Sequence, residues 1–94
     1  MRKLIITNQF KKAYKHYTLS YPNLINRIED TLLKMEEDVF QQFLYTHKLF
    51  GKLYGLRACS CGYDCRIVFK IEINSITKEE EIVLLNIGNH EIVY

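Results

Sequence analysis

Three histidines are the side chains of this 94-residue sequence best suited to proton transfer near neutral pH, because the unperturbed pKa of histidine is about 6.5. They are His16, His47 and His90. We interpret His16, which lies beside Tyr17 on a predicted helix, as a surface residue. His47 and His90 fall in a predicted loop and after a predicted strand, and Asp64 supplies a carboxylate that acts as a base or orients an imidazole. The expected chemistry is general acid–base catalysis.

Basic and aromatic side chains accompany these positions and suit an anionic partner. An arginine offers a planar fork that matches phosphate, and a lysine adds a point charge. An exposed tyrosine such as Tyr94 or Tyr63 presents a ring on which a base can stack. The predicted phosphate-contacting residues are Lys48, Lys52, Arg57 and Arg66.

Each of these residues also has a purely structural interpretation. His47 can hydrogen-bond within its own loop, and His90 can be a turn residue after the preceding glycine and asparagine. Asp64 lies near a glycine, where aspartate is a natural turn former. Arg66 can pair with an acidic residue across a sheet. The residue types alone leave both interpretations open.

The net charge of +2 is unevenly distributed along the chain. Residues 1–20 carry +5 and residues 41–70 carry +4, whereas residues 21–40 carry −3 and residues 71–94 carry −4. This asymmetry favours a basic face on a nearly neutral molecule, as an anionic partner such as nucleic acid requires. Small proteins often carry charge blocks that have no function, so the charge pattern alone does not establish nucleic-acid binding.

Cys59, Cys61 and Cys65 lie close together. An odd count without a signal segment argues against a disulfide framework, so we expect three reduced, half-buried strand residues. A structural zinc site requires four ligands, and no histidine lies nearby. We therefore expect no metal and no other cofactor, and no Cys–His pair that would activate a thiol.

Length and composition predict a single domain over residues 1–94. The sequence is 48% hydrophobic and 26% charged, with four Gly and one Pro, which excludes low-complexity classes. No apolar run approaches the ~18 residues of a membrane span. We therefore expect a cytoplasmic protein.

Apolar periodicity predicts a helical hairpin after a short first strand, Lys3–Thr7. Asn8 is the expected cap of the first helix, whose apolar residues recur at helical spacing from Phe10 to Tyr17. Pro22 suits the first turn of a second helix that ends near Asp38.

Three further strands are predicted in the second half of the chain, over Leu56–Cys61, Arg66–Ile73 and Ile82–Ile87. The element order is thus β-α-α-β-β-β. We expect an α+β fold in which the helical hairpin packs on one face of a mostly antiparallel four-stranded sheet.

Three phrases in the second half of the chain form a recognisable series. They are His47-Lys48-Leu49-x-Gly51-x-Leu53-x-Gly55-x-Arg57, then Asp64-x-Arg66-Ile67-Val68-Phe69, then Leu84-Leu85-x-Ile87-Gly88-x-His90-x-x-Val93-Tyr94. In this order and spacing they resemble the RelE/ParE toxin superfamily, and within it the YafQ-like branch.

The resemblance implies a toxin of a type II toxin-antitoxin system, with a cognate antitoxin protein as partner. RelE-like and YafQ-like members are metal-independent endoribonucleases that cut mRNA in the ribosomal A site, whereas ParE-like members poison DNA gyrase on the same fold. A catalytically weak module that only binds an antitoxin is a third alternative. The nuclease is the leading expectation because the chain retains side chains capable of acid–base chemistry.

The resemblance also implies roles for individual residues. His90 corresponds to the C-terminal histidine that acts as general acid, and His47 and Asp64 correspond to a catalytic histidine and aspartate. Arg66 and Lys52 resemble phosphate-contacting residues, and Tyr94 falls at the terminal aromatic position. From their chemistry, Lys52 and Arg57 are expected to support Arg66, and Lys48 to add charge along the RNA backbone.

Two positions depart from the pattern of the YafQ-like branch. Ser60 stands where a second histidine is expected, and Cys65 stands where an aromatic residue usually follows the aspartate. Both departures bear on the strength of any ribonuclease activity.

Overall fold

The computed structural model describes residues 2–94. Its strands are β1 (Lys3–Ile6), β2 (His47–Lys48), β3 (Arg57–Gly62), β4 (Cys65–Ile73) and β5 (Glu80–Gly88). Its helices are α1 (Asn8–Ser20) and α2 (Ile25–Asp38). Single 3-10 turns span Pro22–Leu24, Gln42–Leu44, Gly51–Leu53 and His90–Val93. Neither helix among residues 2–94 has the length and apolar character of a membrane-spanning segment.

The strands form one sheet in the order β1-β5-β4-β3-β2, in which β1 runs parallel to β5 and all other neighbours are antiparallel. The expected α+β architecture is confirmed, but the sheet has five strands where four were predicted. The additional strand is β2, in which His47 pairs with Ala58 and Lys48 with Arg57. Two residues are too few for an alternating pattern to be visible in sequence.

Local capping determines where the helical hairpin begins. Thr7, not the predicted Asn8, caps α1, because its hydroxyl oxygen accepts a hydrogen bond from the Phe10 N–H at 3.1 Å. The same hydroxyl donates to the Leu84 carbonyl at 2.7 Å, which ties the start of α1 to β5. Pro22 was predicted in the first turn of the second helix, but it opens the 3-10 turn that leads into α2, which begins at Ile25.

Both faces of the sheet bury apolar side chains. The larger core lies between the sheet and the two helices and is centred on Ile28, Ile67 and Phe69, each fully buried. A smaller cluster on the opposite face is formed by Leu49, Ala58 and Val68 and is covered by the following residues: Leu53, Leu56, Ile92 and Val93. The C-terminal turn is therefore held against the sheet, which fixes the position of His90.

The three cysteines were expected to be reduced, and this expectation is wrong for two of them. Cys61 and Cys65 form a disulfide across the turn from β3 to β4, with their Cα atoms 5.0 Å apart. A bulge between Ser60 and Gly62 lets both side chains enter the larger core from neighbouring strands. The odd cysteine count obscured this hairpin geometry. Cys59 remains a buried free thiol, and burial raises its pKa to about 12.

Candidate functional site

The site is built where three strands meet at one end of the sheet. Ser60 of β3, Arg66 of β4 and Gly88 of β5 lie side by side in register. The turn between β3 and β4 carries Asp64, and the chain leaves β5 directly before His90. Residues far apart in sequence are thereby brought to one edge.

Asp64 and His90 form the best-defined polar pair at this edge. One carboxylate oxygen of Asp64, Oδ1, accepts a hydrogen bond from the His90 backbone N–H at 2.8 Å and lies 2.5 Å from Nδ1 of the same residue. The backbone hydrogen bond, followed by the side-chain hydrogen bond, lowers the pKa of Asp64 below its ordinary value. With Nδ1 held by the carboxylate, Nε2 is the ring nitrogen left for a substrate.

The backbone conformation of Asp64 makes this contact possible. Its φ of 54° lies in the left-handed region, which aspartate tolerates better than most residues. Its carbonyl accepts a hydrogen bond from the Tyr17 hydroxyl of α1 at 2.9 Å. Burial, and secondarily the charge of Asp64, raises the pKa of Tyr17, which keeps this phenol protonated as a donor.

Tyr94 contacts the same pair from the chain terminus. Its ring meets the His90 ring edge-on, with 6.3 Å between centroids, while its own side chain stays almost fully exposed. An exposed ring beside the imidazole is suited to stacking on an unpaired base.

Arg66 lies next to the pair and has no carboxylate partner among the ion pairs of residues 2–94. Its Nη1 atom donates to the carbonyls of Gly62 at 3.0 Å and Cys65 at 2.9 Å. These neutral acceptors orient the guanidinium without neutralising it. Arg66 therefore does not pair with an acidic residue across the sheet, which was its structural alternative.

His47 lies on the other side of Arg66 from His90. Arg66 is on β4, which lies in the sheet between β5 and β2. His90 follows β5, and His47 belongs to β2. Nδ1 of His47 lies 2.9 Å from the Tyr45 carbonyl, a contact within its own loop. The ring is exposed, and Nε2 is again the nitrogen left for a ligand.

His47 and Arg66 share an open groove of about 620 Å³. The sheet side of the groove includes Ser60 and Gly62, and the opposite side is formed by α2, which contributes Arg27 and Lys34. Sequence reasoning missed these two basic residues because they belong to the polar face of a helix and lie far from the recognisable phrases.

Three of the predicted phosphate-contacting residues lie outside this groove. The Arg57 guanidinium lies over the Phe40 ring, 5.7 Å from its centroid, and Lys48 is its partner in register on β2. Lys52 is exposed in the turn Gly51–Leu53. The structure does not place Arg57 beside Arg66, because Arg57 begins β3 whereas Arg66 pairs near the end of that strand.

Ser60, which replaces an expected histidine, is engaged with its own turn. Its hydroxyl donates to the Gly62 carbonyl at 3.2 Å and accepts from the Gly62 N–H at 3.3 Å. It lies in the groove but has no proton-transfer chemistry near neutral pH. Among residues 2–94, no group of three or more histidine, cysteine or acidic side chains is arranged to hold a metal ion.

The sheet order and the helical hairpin define a class of protein: the chain has the fold of the RelE/ParE-like toxins, as expected. The similar solved structures are individual toxins of this class. YafQ from E. coli strain BL21(DE3) matches with a TM-score of 0.77 and 14% sequence identity over 100% of this chain and 99% of that chain. The YoeB/ParE toxin from Agrobacterium tumefaciens matches with a TM-score of 0.71 and 16% identity over 94% and 98%.

YafQ within the E. coli DinJ-YafQ toxin-antitoxin complex also matches, with a TM-score of 0.70 and 16% identity over 99% of this chain and 97% of that chain. No family model and no curated protein matches the sequence. At these identities the similarity establishes the fold, and the chemistry has to be argued from the site.

Proposed function

We propose that this chain is the toxin of a type II toxin-antitoxin system and acts as a metal-independent endoribonuclease that cuts mRNA in the ribosomal A site. The observation that carries the proposal is the Asp64–His90 pair beside Arg66, which forms no ion pair among residues 2–94. Cleavage of RNA requires an acid, a base and a cation beside the phosphate. The Asp64–His90 pair and Arg66 supply an acid and a cation at this edge of the sheet, and His47 lines the groove that Arg66 also lines.

His90 is the proposed general acid. Asp64 accepts the hydrogen bond from Nδ1, so the imidazolium form of His90 carries its second proton on Nε2 and gives that proton to the departing 5′-oxygen. His47 is the proposed base that takes the proton from the 2′-hydroxyl. Arg66 stabilises the additional negative charge on the phosphorane. The products are a 2′,3′-cyclic phosphate and a 5′-hydroxyl.

Tyr94 and the groove support binding of single-stranded RNA. The ring beside His90 offers a stacking surface for a base, and the basic groove at His47 and Arg66 attracts the backbone. Lys48, Lys52 and Arg57 lie outside the groove, so their proposed contribution is limited to the long-range field that draws an anion to the protein.

A cognate antitoxin is the proposed protein partner. The DinJ-YafQ toxin-antitoxin complex, whose toxin shares this fold, supports the proposal. The +4 charge of residues 41–70, of which Arg66 lines the groove, is suited to an acidic antitoxin segment on this part of the surface. Co-expression of the product of an adjacent gene should restore growth and co-purify with this chain. A neighbour that does neither is not the antitoxin.

Controlled expression with mapping of RNA 5′ ends tests the nuclease. We expect the wild type to stop translation and to cut mRNA within codons, and His90→Ala to lose cleavage by a factor of about 10²–10⁴. His16→Ala, which removes an exposed histidine from α1, is the matched control and should behave as the wild type. Full cleavage by His90→Ala contradicts the assignment.

The same experiment separates the two alternatives. DNA damage with intact mRNA indicates the gyrase-directed toxin. Antitoxin binding without growth arrest, mRNA cleavage or DNA damage indicates the catalytically weak module, which the loss of a histidine at Ser60 keeps in consideration.

A further inference from the structure

Gly62 is the point at which two arginines approach each other. Arg66 donates from Nη1 to the Gly62 carbonyl at 3.0 Å. Arg27 of α2 lies against the same residue, because a Cβ atom on Gly62 would be 3.1 Å from both Cδ and Nε of Arg27. The glycine has a φ of +139°, a conformation that other residues rarely adopt. The Arg27 side chain therefore lies in close contact with the edge of β3 at Gly62.

Arg27 and Arg66 are the two groove cations without an acidic partner among the ion pairs of residues 2–94. Lys34 of the same groove is already paired with Asp30 at 2.9 Å, and its ammonium lies over the Phe43 ring. Two guanidinium groups on one glycine repel each other in the free protein. An anion between or beside them removes this repulsion.

The surroundings indicate what kind of anion fits. The groove of about 620 Å³ is open and is also lined by the aromatic rings of Phe43, Tyr45 and Tyr63. Arginine forks together with aromatic rings in one groove suit single-stranded nucleic acid, which offers both phosphates and unstacked bases. A compact anion such as free phosphate leaves the rings without a role.

We infer that Arg27 is a second phosphate-binding residue of this groove and holds the RNA phosphate next to the one at Arg66, an inference that rests on the proposed ribonuclease function. Arg27 makes no contact with Asp64 or His90, so it contributes to binding of RNA and not to proton transfer. The side chain is exposed, so its replacement leaves the core intact.

Cleavage of mRNA on purified, programmed ribosomes provides the first measurement. We expect Arg27→Gln to raise KM about tenfold with kcat within twofold of the wild type, because only a charge-assisted contact to the backbone is lost. Arg2→Gln is the matched control, since Arg2 pairs with Glu80 away from the groove, and its KM should stay within twofold.

The second measurement is the affinity for an uncleavable 2′-O-methyl oligonucleotide. It is determined by fluorescence anisotropy at several salt concentrations. Loss of one phosphate contact in single-stranded RNA lowers the slope of log K against log salt by about 0.7. We expect this change for Arg27→Gln and not for Arg27→Lys or Arg2→Gln. Thermal melting of each variant checks its fold. If Arg27→Gln is unfolded, Arg27→Lys replaces it in the test. A weaker affinity of Arg27→Lys than of the wild type, with the same salt slope, then supports the inference.

The outcomes distinguish this inference from the proposed function. If the wild type cuts mRNA but Arg27→Gln matches Arg2→Gln in both KM and salt slope, the role of Arg27 is overturned while the nuclease stands. If the wild type cuts no mRNA but Arg27→Gln still has a weaker affinity and a smaller salt slope, the phosphate-binding role of Arg27 is supported and the ribonuclease function is contradicted. Absence of any oligonucleotide binding by the wild type overturns the inference.

Discussion

Asp64 accepts two hydrogen bonds from a single residue, His90, through one carboxylate oxygen. The backbone hydrogen bond fixes where His90 begins the C-terminal turn, and the contact to Nδ1 fixes how its ring is rotated. One turn residue therefore determines both the position of the proposed acid and which of its ring nitrogens, Nε2, is left for the substrate.

The first prediction concerns the chemistry of this pair. We expect Asp64→Asn to lower kcat for mRNA cleavage about 10- to 100-fold, because an amide in either orientation no longer holds the Nδ1 proton as a carboxylate does. KM should change little, since Asp64 lies outside the groove. Single-turnover cleavage on programmed ribosomes measures the effect. Asp38→Asn is the matched control, and a wild-type rate in Asp64→Asn would refute the orienting role.

The second prediction concerns stability against pH. The His90 backbone hydrogen bond lowers the pKa of Asp64 in the folded state below 3.8, the value of an unperturbed aspartate. The unfolded chain therefore binds this proton more readily, so the stabilisation is complete above that value and is lost as pH falls through the lower folded-state pKa.

Urea unfolding of the wild type and Asp64→Asn at several pH values measures this loss. We expect the difference in free energy of unfolding to be largest above about pH 5 and to shrink below about pH 4. Asp30→Asn, which removes an exposed partner of Lys34, provides the comparison for an ordinary surface ion pair. A difference that grows towards acid pH would contradict the assignment of the lowered pKa.

The sequence predicted the parts of the fold that carry a long periodic signal. In β4, Ile67, Phe69 and Ile71 belong to the larger core and alternate with Arg66, Val68 and Lys70, and this alternation matches the two faces of the sheet. The helical hairpin was predicted for the same reason, since its apolar residues recur at helical spacing. Strand β2 was missed because two residues carry no period.

The candidate site was only partly predictable. The phrases of the second half identified Asp64, Arg66 and His90, which the fold brings to one edge. Nothing local indicated that Arg27 lies against Gly62, because that contact depends on how α2 packs over the end of β3. The disulfide was missed for a related reason, since its formation depends on a bulge that the sequence does not reveal.

The third prediction tests the disulfide between Cys61 and Cys65. The bond closes a small loop, with a sequence separation of 4, and chain-entropy arguments give a stabilisation of about 2 kcal/mol for such a loop. We expect reduction to lower the free energy of unfolding by about this amount. Urea unfolding with and without a dithiol reductant measures it, and Cys61→Ser/Cys65→Ser should show no dependence on the reductant.

Thiol counting by mass spectrometry provides an independent check. Alkylation of the denatured, unreduced protein should modify Cys59 alone, and prior reduction should expose all three thiols. In the folded protein Cys59 should resist alkylation at pH 8, because burial raises its pKa to about 12. Three reactive thiols in unreduced protein would restore the original expectation of free cysteines.

The fourth prediction separates the two arginines that sequence reasoning grouped together. Arg66 has neutral carbonyl partners and lines the groove, whereas the Arg57 guanidinium lies over the Phe40 ring at the opposite end of β3. We expect Arg66→Gln to lower kcat/KM for mRNA cleavage at least 100-fold, through lost stabilisation of the phosphorane. Arg57→Gln removes the same charge and should leave kcat/KM within about threefold. Equal losses in the two variants would mean that net charge, and not the placement of Arg66, governs the reaction.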